Sequence, residues 1–276
     1  MRLYNTLEGW FAEDSTGKVC RLQETLDTLL QCKDLFSLLA AKAKEATAPA
    51  VLPLPTKWIA PIASQEVWAA GVTYYRSRSA RMEEAKEAGG SNFYDKVYRA
   101  ERPELFFKAL AARVAGPNDK VRIRKDATWS VPEPELTLLI NTFGEIVGYT
   151  AGNDMSSRDI EGENPLYLPQ AKVYDRSCAL GPSLLISESP MSPDTEIKIS
   201  IRREQAVEFS EKITLAAMKR DPKTLVEYLY RELSFQHGCF LMTGTGIVPP
   251  DSFTLASGDV IDIAIGQIGT LSNQVE

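Results

Sequence analysis

Two glutamates stand two positions apart at the start of an apolar stretch, where residues 131–140 read VPEPELTLLI. Side chains at positions i and i+2 of a β-strand face the same side, so Glu133 and Glu135 should project together, roughly 7 Å apart along the backbone. The prolines at 132 and 134 favour an extended, non-helical entrance to this strand. The pattern predicts a pair of carboxylates on one face of a strand.

A third carboxylate is predicted to join this pair through a hairpin. The sequence NTFG, from Asn141 to Gly144, has the residue preferences of the outer positions of a type I turn, and a return strand leads to Asp154. If Asn141 pairs with Gly144, Asp154 lies opposite Val131, diagonally adjacent to Glu133 and on the same face. A slip of one residue would turn Asp154 away, so the convergence depends on the turn.

Three clustered carboxylates would repel one another and raise their own pKa values, and a bound cation would relieve this. Ligation by oxygen alone selects a hard ion, and a site with several open positions suits Mg²⁺, or Mn²⁺, better than a closed calcium cage. Solvated charges at a strand edge are the alternative. For Glu133, Glu135 and Asp154 together, beside apolar strands, we favour the metal site.

Three further residues are candidates for binding or proton transfer. Arg158 follows the return strand and could bind a substrate carboxylate or pair with Asp159. Lys172 is surrounded by uncharged residues, so it could reach inward, although a solvated lysine is the usual case. Thr245 belongs to a TGTG segment whose amides and hydroxyls could hold an anionic group or simply form a turn.

The elements that must position these residues fall into two predicted domains, a small α/β segment over 1–62 and a larger unit over 63–276. Two short strands and a helix over 25–46 are expected in the first, followed by a proline-rich stretch that ends helical structure. In the second, residues 67–72 form a strand, and the charged segment 74–88 is either a solvated helix or a lid. The remainder is mainly β, which favours an α+β, mainly β fold with mixed or antiparallel sheets.

Composition narrows the function further. A formal charge of −6 over 276 residues argues against a nucleic-acid partner, and no apolar run is long enough to cross a membrane. The N-terminal residues do not resemble a signal peptide, so we expect a cytoplasmic protein. The four cysteines are scattered and read as reduced thiols, and the one histidine, His237, excludes a zinc site built on several histidines.

At these residues the chain resembles the fumarylacetoacetate hydrolase family. The matching motifs run in order across most of residues 67–273: Glu133-x-Glu135, GYT at 148–150, ND-x-S-x-RD at 153–159, LGP at 180–182, TGT at 243–245, GDV at 258–260 and GTL at 269–271. The resemblance implies a rolled mixed β-sheet, a Mg²⁺ or Mn²⁺ ion on Glu133, Glu135 and Asp154, and a homodimer or homotetramer.

The family includes hydrolases, decarboxylases, isomerases and dehydratases, so membership leaves the reaction open. Hydrolytic members carry a histidine shortly after the first core strand, where this chain reads GVTYYR at 71–76. Within the family, the chain is most similar to dehydratases of 2-keto-3-deoxy sugar acids such as 2-keto-3-deoxy-D-arabinonate. The motifs for this are EVW at 66–68, YDKVY at 94–98, RPELFFK at 102–108, PEPE at 132–135 and ENPLYLPQAK at 163–172.

The resemblance implies roles for individual residues. Lys172 and Glu104 become candidates for proton transfer, and Arg158, Thr245 and Tyr74, together with Lys172, for substrate binding. The predicted reaction removes a C3 proton from a metal-bound 2-keto acid and then the neighbouring hydroxyl. Metal-dependent C–C hydrolysis or decarboxylation of an acylpyruvate or oxaloacetate remains an alternative, and so does a non-catalytic binding protein.

Overall fold

The structure, a computed structural model, describes residues 1–46, 50–74 and 96–276. Apart from Tyr74, the predicted lid at 74–88 lies outside these residues. No helix in the described part of the chain is long and apolar enough to span a membrane.

The strands of the described residues are β1 (Arg2–Thr6), β2 (Gly9–Glu13), β3 (Val19–Arg21), β4 (Glu66–Gly71), β5 (Glu104–Leu110), β6 (Val114–Ala115), β7 (Lys120–Val121), β8 (Ser130–Val131), β9 (Pro134–Ile140), β10 (Ile146–Asp154), β11 (Ser156–Ser157), β12 (Cys178–Ile186), β13 (Glu196–Arg203), β14 (Ala206–Thr214), β15 (Cys239–Met242), β16 (Val260–Ile265) and β17 (Gly269–Val275).

The largest sheet curls into a roll. Its strand order is β3-β2-β1-β12-β10-β9-β15-β4-β5, and β6 pairs with β12. Because β6 follows β5 after only a three-residue 3₁₀ turn, Ala111–Arg113, the pairing brings the β5 edge back towards β12. The β4/β15 and β6/β12 pairs are parallel and the others antiparallel. The prediction of a mainly β, α+β fold with a mixed sheet is confirmed.

Both faces of the roll are covered. A five-stranded sheet, β14-β13-β16-β17-β7, packs its alternating isoleucines against one face of β9 and β10. Helices α1 (Leu26–Leu29) and α2 (Leu35–Glu45) bury their leucines against the other face, which includes Leu139 and Leu180. Helices α3 (Arg158–Glu163), α4 (Leu168–Lys172) and α5 (Pro222–Tyr230) lie later in the chain.

The single helix predicted over residues 25–46 is wrong, because the structure has α1 and α2 with a break between them. The Leu30 carbonyl accepts a hydrogen bond from Thr142 N at 3.1 Å, which ties the end of α1 to the β9–β10 turn. Asp34 then starts α2 by accepting from Ser37 N at 3.0 Å, a side-chain N-cap. The break lets two short helices follow the curved sheet.

The N-terminal segment continues the main sheet, since β1 pairs with β12 as well as with β2. Asp27 of α1 also accepts hydrogen bonds from Ser64 Oγ at 2.7 Å and from Gln65 Nε2 at 2.7 Å, just before β4. These contacts attach residues 1–62 to the larger unit. The domain boundary near residue 62 stays a prediction.

Replacing Leu39 with Ala tests the packing of α2 on the roll. Leu39 is fully buried, and its loss should lower the free energy of unfolding by about 2–5 kcal/mol, because a cavity remains where methyl groups packed. Urea unfolding followed by tryptophan fluorescence measures this. Leu54, which is 70% exposed, provides the matched Leu→Ala control. Equal effects of the two changes would contradict this packing.

Candidate metal centre

The three predicted carboxylates lie together inside the roll. Glu133 precedes β9, Glu135 is its second residue and Asp154 is the last residue of β10. One oxygen from each can be chosen so that all three lie within 4.8 Å of one another, and all three side chains are buried. The cluster contains carboxylate oxygens and neither histidine nor cysteine, which is the donor set that hard divalent cations prefer.

The hairpin reaches this arrangement by a different register from the predicted one. Gly144 N donates to Asn141 O at 3.1 Å, as expected for the turn, but Asn141 N bonds to Glu145 O at 3.0 Å. Gly144 has a φ of 78°, so it is an extra residue in the left-handed region that glycine tolerates. A second irregularity falls between Ile146 and Gly148. Together they shift the register by two residues.

A two-residue shift preserves the face on which each side chain lies. Asp154 therefore aligns with Glu133, whose carbonyl accepts from Asp154 N at 3.0 Å, instead of lying opposite Val131. The predicted register is wrong in this respect. The predicted convergence is nevertheless correct, because the two irregularities each shift the register by one residue in the same direction.

Three buried cations surround the carboxylates. Lys172 Nζ donates to Glu133 Oε2 at 2.7 Å and to Asp154 Oδ2 at 3.2 Å. Arg158 donates through one terminal nitrogen to Glu133 Oε1 at 2.9 Å. Lys108 Nζ lies 2.5 Å from Asp154 Oδ1. The cluster is thus made of three acidic and three basic groups. Of the two partners considered for Arg158, a substrate carboxylate or Asp159, the second is not supported: among the described residues Arg158 contacts Glu133, and Asp159 accepts hydrogen bonds from Thr128.

Lys108 is the site residue that sequence reasoning missed. It sits in the apolar strand β5, ELFFKAL, and its side chain is fully buried. A lysine alone among uncharged residues was the available signal, as it was for Lys172. The pairing across the roll could not be seen from the sequence, because β5 and β10 are separated by three other strands in the sheet order.

Glu135 is held by a backbone amide. Its Oε2 accepts from Gly244 N at 2.6 Å. Burial, followed by the charges of Asp154 and Glu133, raises the pKa of Glu135 well above its usual range. A cation beside this carboxylate would favour its ionised form, so the residues present fit a divalent metal.

The TGTG loop positions Glu135 through its backbone. Gly244 has a φ of 88°, and a Cβ there would lie 2.0 Å from Thr73 Oγ1 and 3.0 Å from Ala70 O. Only glycine allows this approach. The Thr245 hydroxyl bonds within the loop, to the backbone of Ile247 at 3.2 Å. A role for Thr245 in binding substrate stays a prediction.

The other two candidates are Glu104, at the start of β5, and Tyr74, three residues after the end of β4. Glu104, the first residue of β5, is opposite Gly71, where a Cβ would lie 2.0 Å from Glu104 Oε2. Gly71 therefore makes room for this carboxylate. Tyr74 is buried, and burial, followed by the charge of Glu135, raises its pKa above the ordinary value. His237 is separate from the cluster, and its carbonyl accepts from Gln65 Nε2 at 2.9 Å.

Comparison with known proteins places this centre in context. A probable 2-keto-3-deoxyxylonate dehydratase from Haloferax volcanii is 47% identical over 216 residues, 78% of this chain and 73% of the relative. The 2-dehydro-3-deoxy-D-arabinonate dehydratase of Saccharolobus solfataricus is 40% identical over 218 residues, again 78% and 73% of the two chains.

Solved structures agree over the whole chain. A 2-keto-3-deoxy-D-arabinonate dehydratase complexed with magnesium and 2,5-dioxopentanoate has a TM-score of 0.85 at 32% identity, covering 100% of this chain and 99% of the other. The model of the fumarylacetoacetate (FAA) hydrolase C-terminal domain matches residues 68–276. With a family match over most of its length and the predicted carboxylates gathered in the roll, the chain belongs to the fumarylacetoacetate hydrolase family.

Proposed function

We propose that this protein is a metal-dependent dehydratase of a 2-keto-3-deoxy sugar acid, such as 2-keto-3-deoxy-D-arabinonate. The observation that carries the proposal is the contact of Lys172 Nζ with both Glu133 and Asp154. It places a basic side chain directly beside a three-carboxylate centre. Two relatives that share 47% and 40% identity with the chain are named as dehydratases of such acids.

Glu133, Glu135 and Asp154 would hold the cation, Mg²⁺ in the first place and Mn²⁺ as a second possibility. When bound, the cation supplies Lewis-acid stabilisation of the negative charge that develops on the 2-keto oxygen of the substrate. Glu135 would contribute a carboxylate from strand β9, and the hydrogen bond from Gly244 N orients that carboxylate. Arg158 holds Glu133 from the opposite oxygen to that used by Lys172.

Lys172 is the proposed base. Its Nζ would take a proton from C3 of the substrate, and the electron pair of that C–H bond forms the double bond as the neighbouring C–O bond breaks. Glu104 is the proposed acid, giving a proton to the departing hydroxyl so that water leaves. Arg158, Thr245 and Tyr74, all of which are buried, are proposed to orient the substrate.

C–C hydrolysis of the kind that uses a histidine to activate water is disfavoured by the position of His237, which lies between α5 and β15 and outside the cluster. Dehydration needs no added water, so it needs no histidine to activate one. We also propose that the protein is cytoplasmic and forms a homodimer or homotetramer. Light scattering on the purified protein would measure the oligomeric state.

Incubation of the metal-loaded protein with 2-keto-3-deoxy-pentonates and hexonates should give products lighter by one water, detected by mass spectrometry. The carbon count should be unchanged, because elimination breaks no C–C bond. Acylpyruvates and oxaloacetate serve as the comparison substrates. Loss of carbon from these, with no dehydration of any sugar acid, would establish the alternative reaction instead.

Two variants should separate catalysis from metal binding. Glu135→Gln should lose Mg²⁺ binding and activity together, because a ligand charge is removed. Lys172→Ala should lower kcat by about 10²–10⁴-fold, the usual contribution of a general base, while it continues to bind Mg²⁺. Isothermal titration calorimetry and steady-state kinetics measure the two properties. Full activity of Lys172→Ala would exclude it as the base.

The stabilisation of the protein by Mg²⁺ should grow as the pH rises. Because the pKa of Glu135 is raised in the fold, proton binding there stabilises the metal-free protein fully below the unfolded-chain pKa of about 4.3, and this contribution is lost as the pH rises through the raised pKa. Mg²⁺ competes with that proton. The increase in Tm on adding Mg²⁺, relative to EDTA, should therefore be larger near pH 8 than near pH 5.5.

Glu135→Gln is the control for this effect. Because it is expected to lose Mg²⁺ binding, Mg²⁺ should not raise its Tm at either pH. A stabilisation by Mg²⁺ that shrinks with rising pH in the unmodified protein would contradict the link to Glu135.

A further inference from the structure

The buried Lys108 ammonium connects two parts of the site that are far apart in sequence. Its Nζ lies 2.5 Å from Asp154 Oδ1, and it donates to Met155 O at 3.0 Å and to Lys172 O at 2.5 Å. An ammonium has three hydrogens, and three oxygens surround this one. Its position is therefore fixed by the end of β10 on one side and the end of α4 on the other.

This contact determines which oxygen of Asp154 is available. Lys108 engages Oδ1, and Oδ2 is the oxygen that faces Lys172 Nζ at 3.2 Å. Asp154 is thereby oriented to offer a single oxygen to the centre. Groups that orient a ligand carboxylate by hydrogen bonding commonly tune a metal site from outside its ligand shell.

The same ammonium also fixes the backbone of Lys172. The Lys172 carbonyl accepts from both Lys108 Nζ and Ser177 Oγ, the latter at 2.9 Å. Lys172 ends a helix of only five residues, so the helix itself gives little restraint. Lys108 thus sets the distance between Asp154 and the residue whose Nζ must reach the substrate.

A purely stabilising role explains this arrangement less well. A buried ion pair loses much of its Coulomb energy to the cost of removing both charges from water, so an apolar side chain of similar volume can serve packing equally well. Here the ammonium joins β5 to β10 across the interior of the roll, where both partners are fully or almost fully buried.

We propose that Lys108 is a positioning residue of the dehydratase: it presents Asp154 through one oxygen and holds Lys172 at its working distance from the centre. The inference rests on the proposed function for its catalytic part. The claim about Asp154 concerns metal binding alone and is testable without substrate.

The test is Lys108→Met, with Mg²⁺ affinity measured by calorimetry and kcat and KM measured separately. Removal of a positive charge makes the centre more attractive to a divalent cation, which offsets the lost orientation of Asp154, so Mg²⁺ should bind about as tightly as before. The loss of positioning should lower kcat by about 10–100-fold, with KM little changed. A role in stability alone would lower Tm and leave kcat unchanged, and that result would overturn the proposal.

Lys108→Arg guards against failure of the Met variant to fold, because it keeps the positive charge. A planar guanidinium cannot bring one nitrogen to all three of these oxygens, so kcat should still fall, and with the charge kept the misorientation of Asp154 should weaken Mg²⁺ binding. A wild-type kcat in this variant would overturn the proposal.

Lys18→Met is the matched control outside the site. Lys18 Nζ also donates to two backbone carbonyls, Ala43 O at 2.5 Å and Ala46 O at 3.2 Å. Its removal should lower Tm without changing kcat or Mg²⁺ affinity. An equal loss of kcat in Lys18→Met would assign the Lys108 effect to general destabilisation.

The proposed function and the Lys108 inference fail in different ways. A wild-type protein that binds Mg²⁺ but dehydrates no sugar acid would overturn the function, while weaker Mg²⁺ binding by Lys108→Arg than by the unmodified protein would still support the orientation of Asp154. If the wild-type protein dehydrates the acids and the Lys108→Met variant is equally active, only the Lys108 inference is overturned.

Discussion

The pairing of buried charges constrains this molecule more than any other interaction. Three carboxylates and three cations meet inside the roll, each with little or no exposure to water. An unpaired charge in such a place costs several kcal/mol, so each member depends on its partners being present. The six groups come from β5, β9 and its entrance, β10, α3 and α4. These elements must all be correctly placed for any of the charges to be accommodated.

The same balance bears on the reaction. A divalent cation adds two positive charges, and a 2-keto acid carboxylate removes one. A neutral Lys172, which a base requires, removes the other. The loaded site with a neutral base is therefore as close to electrical neutrality as the six side chains alone. This gives a physical reason why the proposed base and the proposed metal ligands are in direct contact, as Lys172 is with Glu133 and Asp154.

Local patterns predicted much of this site, and long-range pairing accounts for what they missed. The shared face of Glu133 and Glu135 follows from strand periodicity, and the mainly β fold follows from the spacing of turns and β-branched segments. The role of Lys108 could not be predicted, because the closure of the roll brings its partners to it and no local sequence pattern encodes that closure. The break between α1 and α2 was missed for a related reason, since it depends on a hydrogen bond from Thr142 to Leu30.

The two extra residues of the β9–β10 hairpin carry a consequence for how the chain can change in length. Gly144 and the irregularity before Gly148 each displace the return strand by one residue, and together they leave Asp154 facing inward. Loss of either alone would turn Asp154 to the opposite face of the sheet, beside the apolar core. Among related chains, insertions and deletions in this hairpin should therefore be tolerated in pairs, so that its length varies while its parity does not.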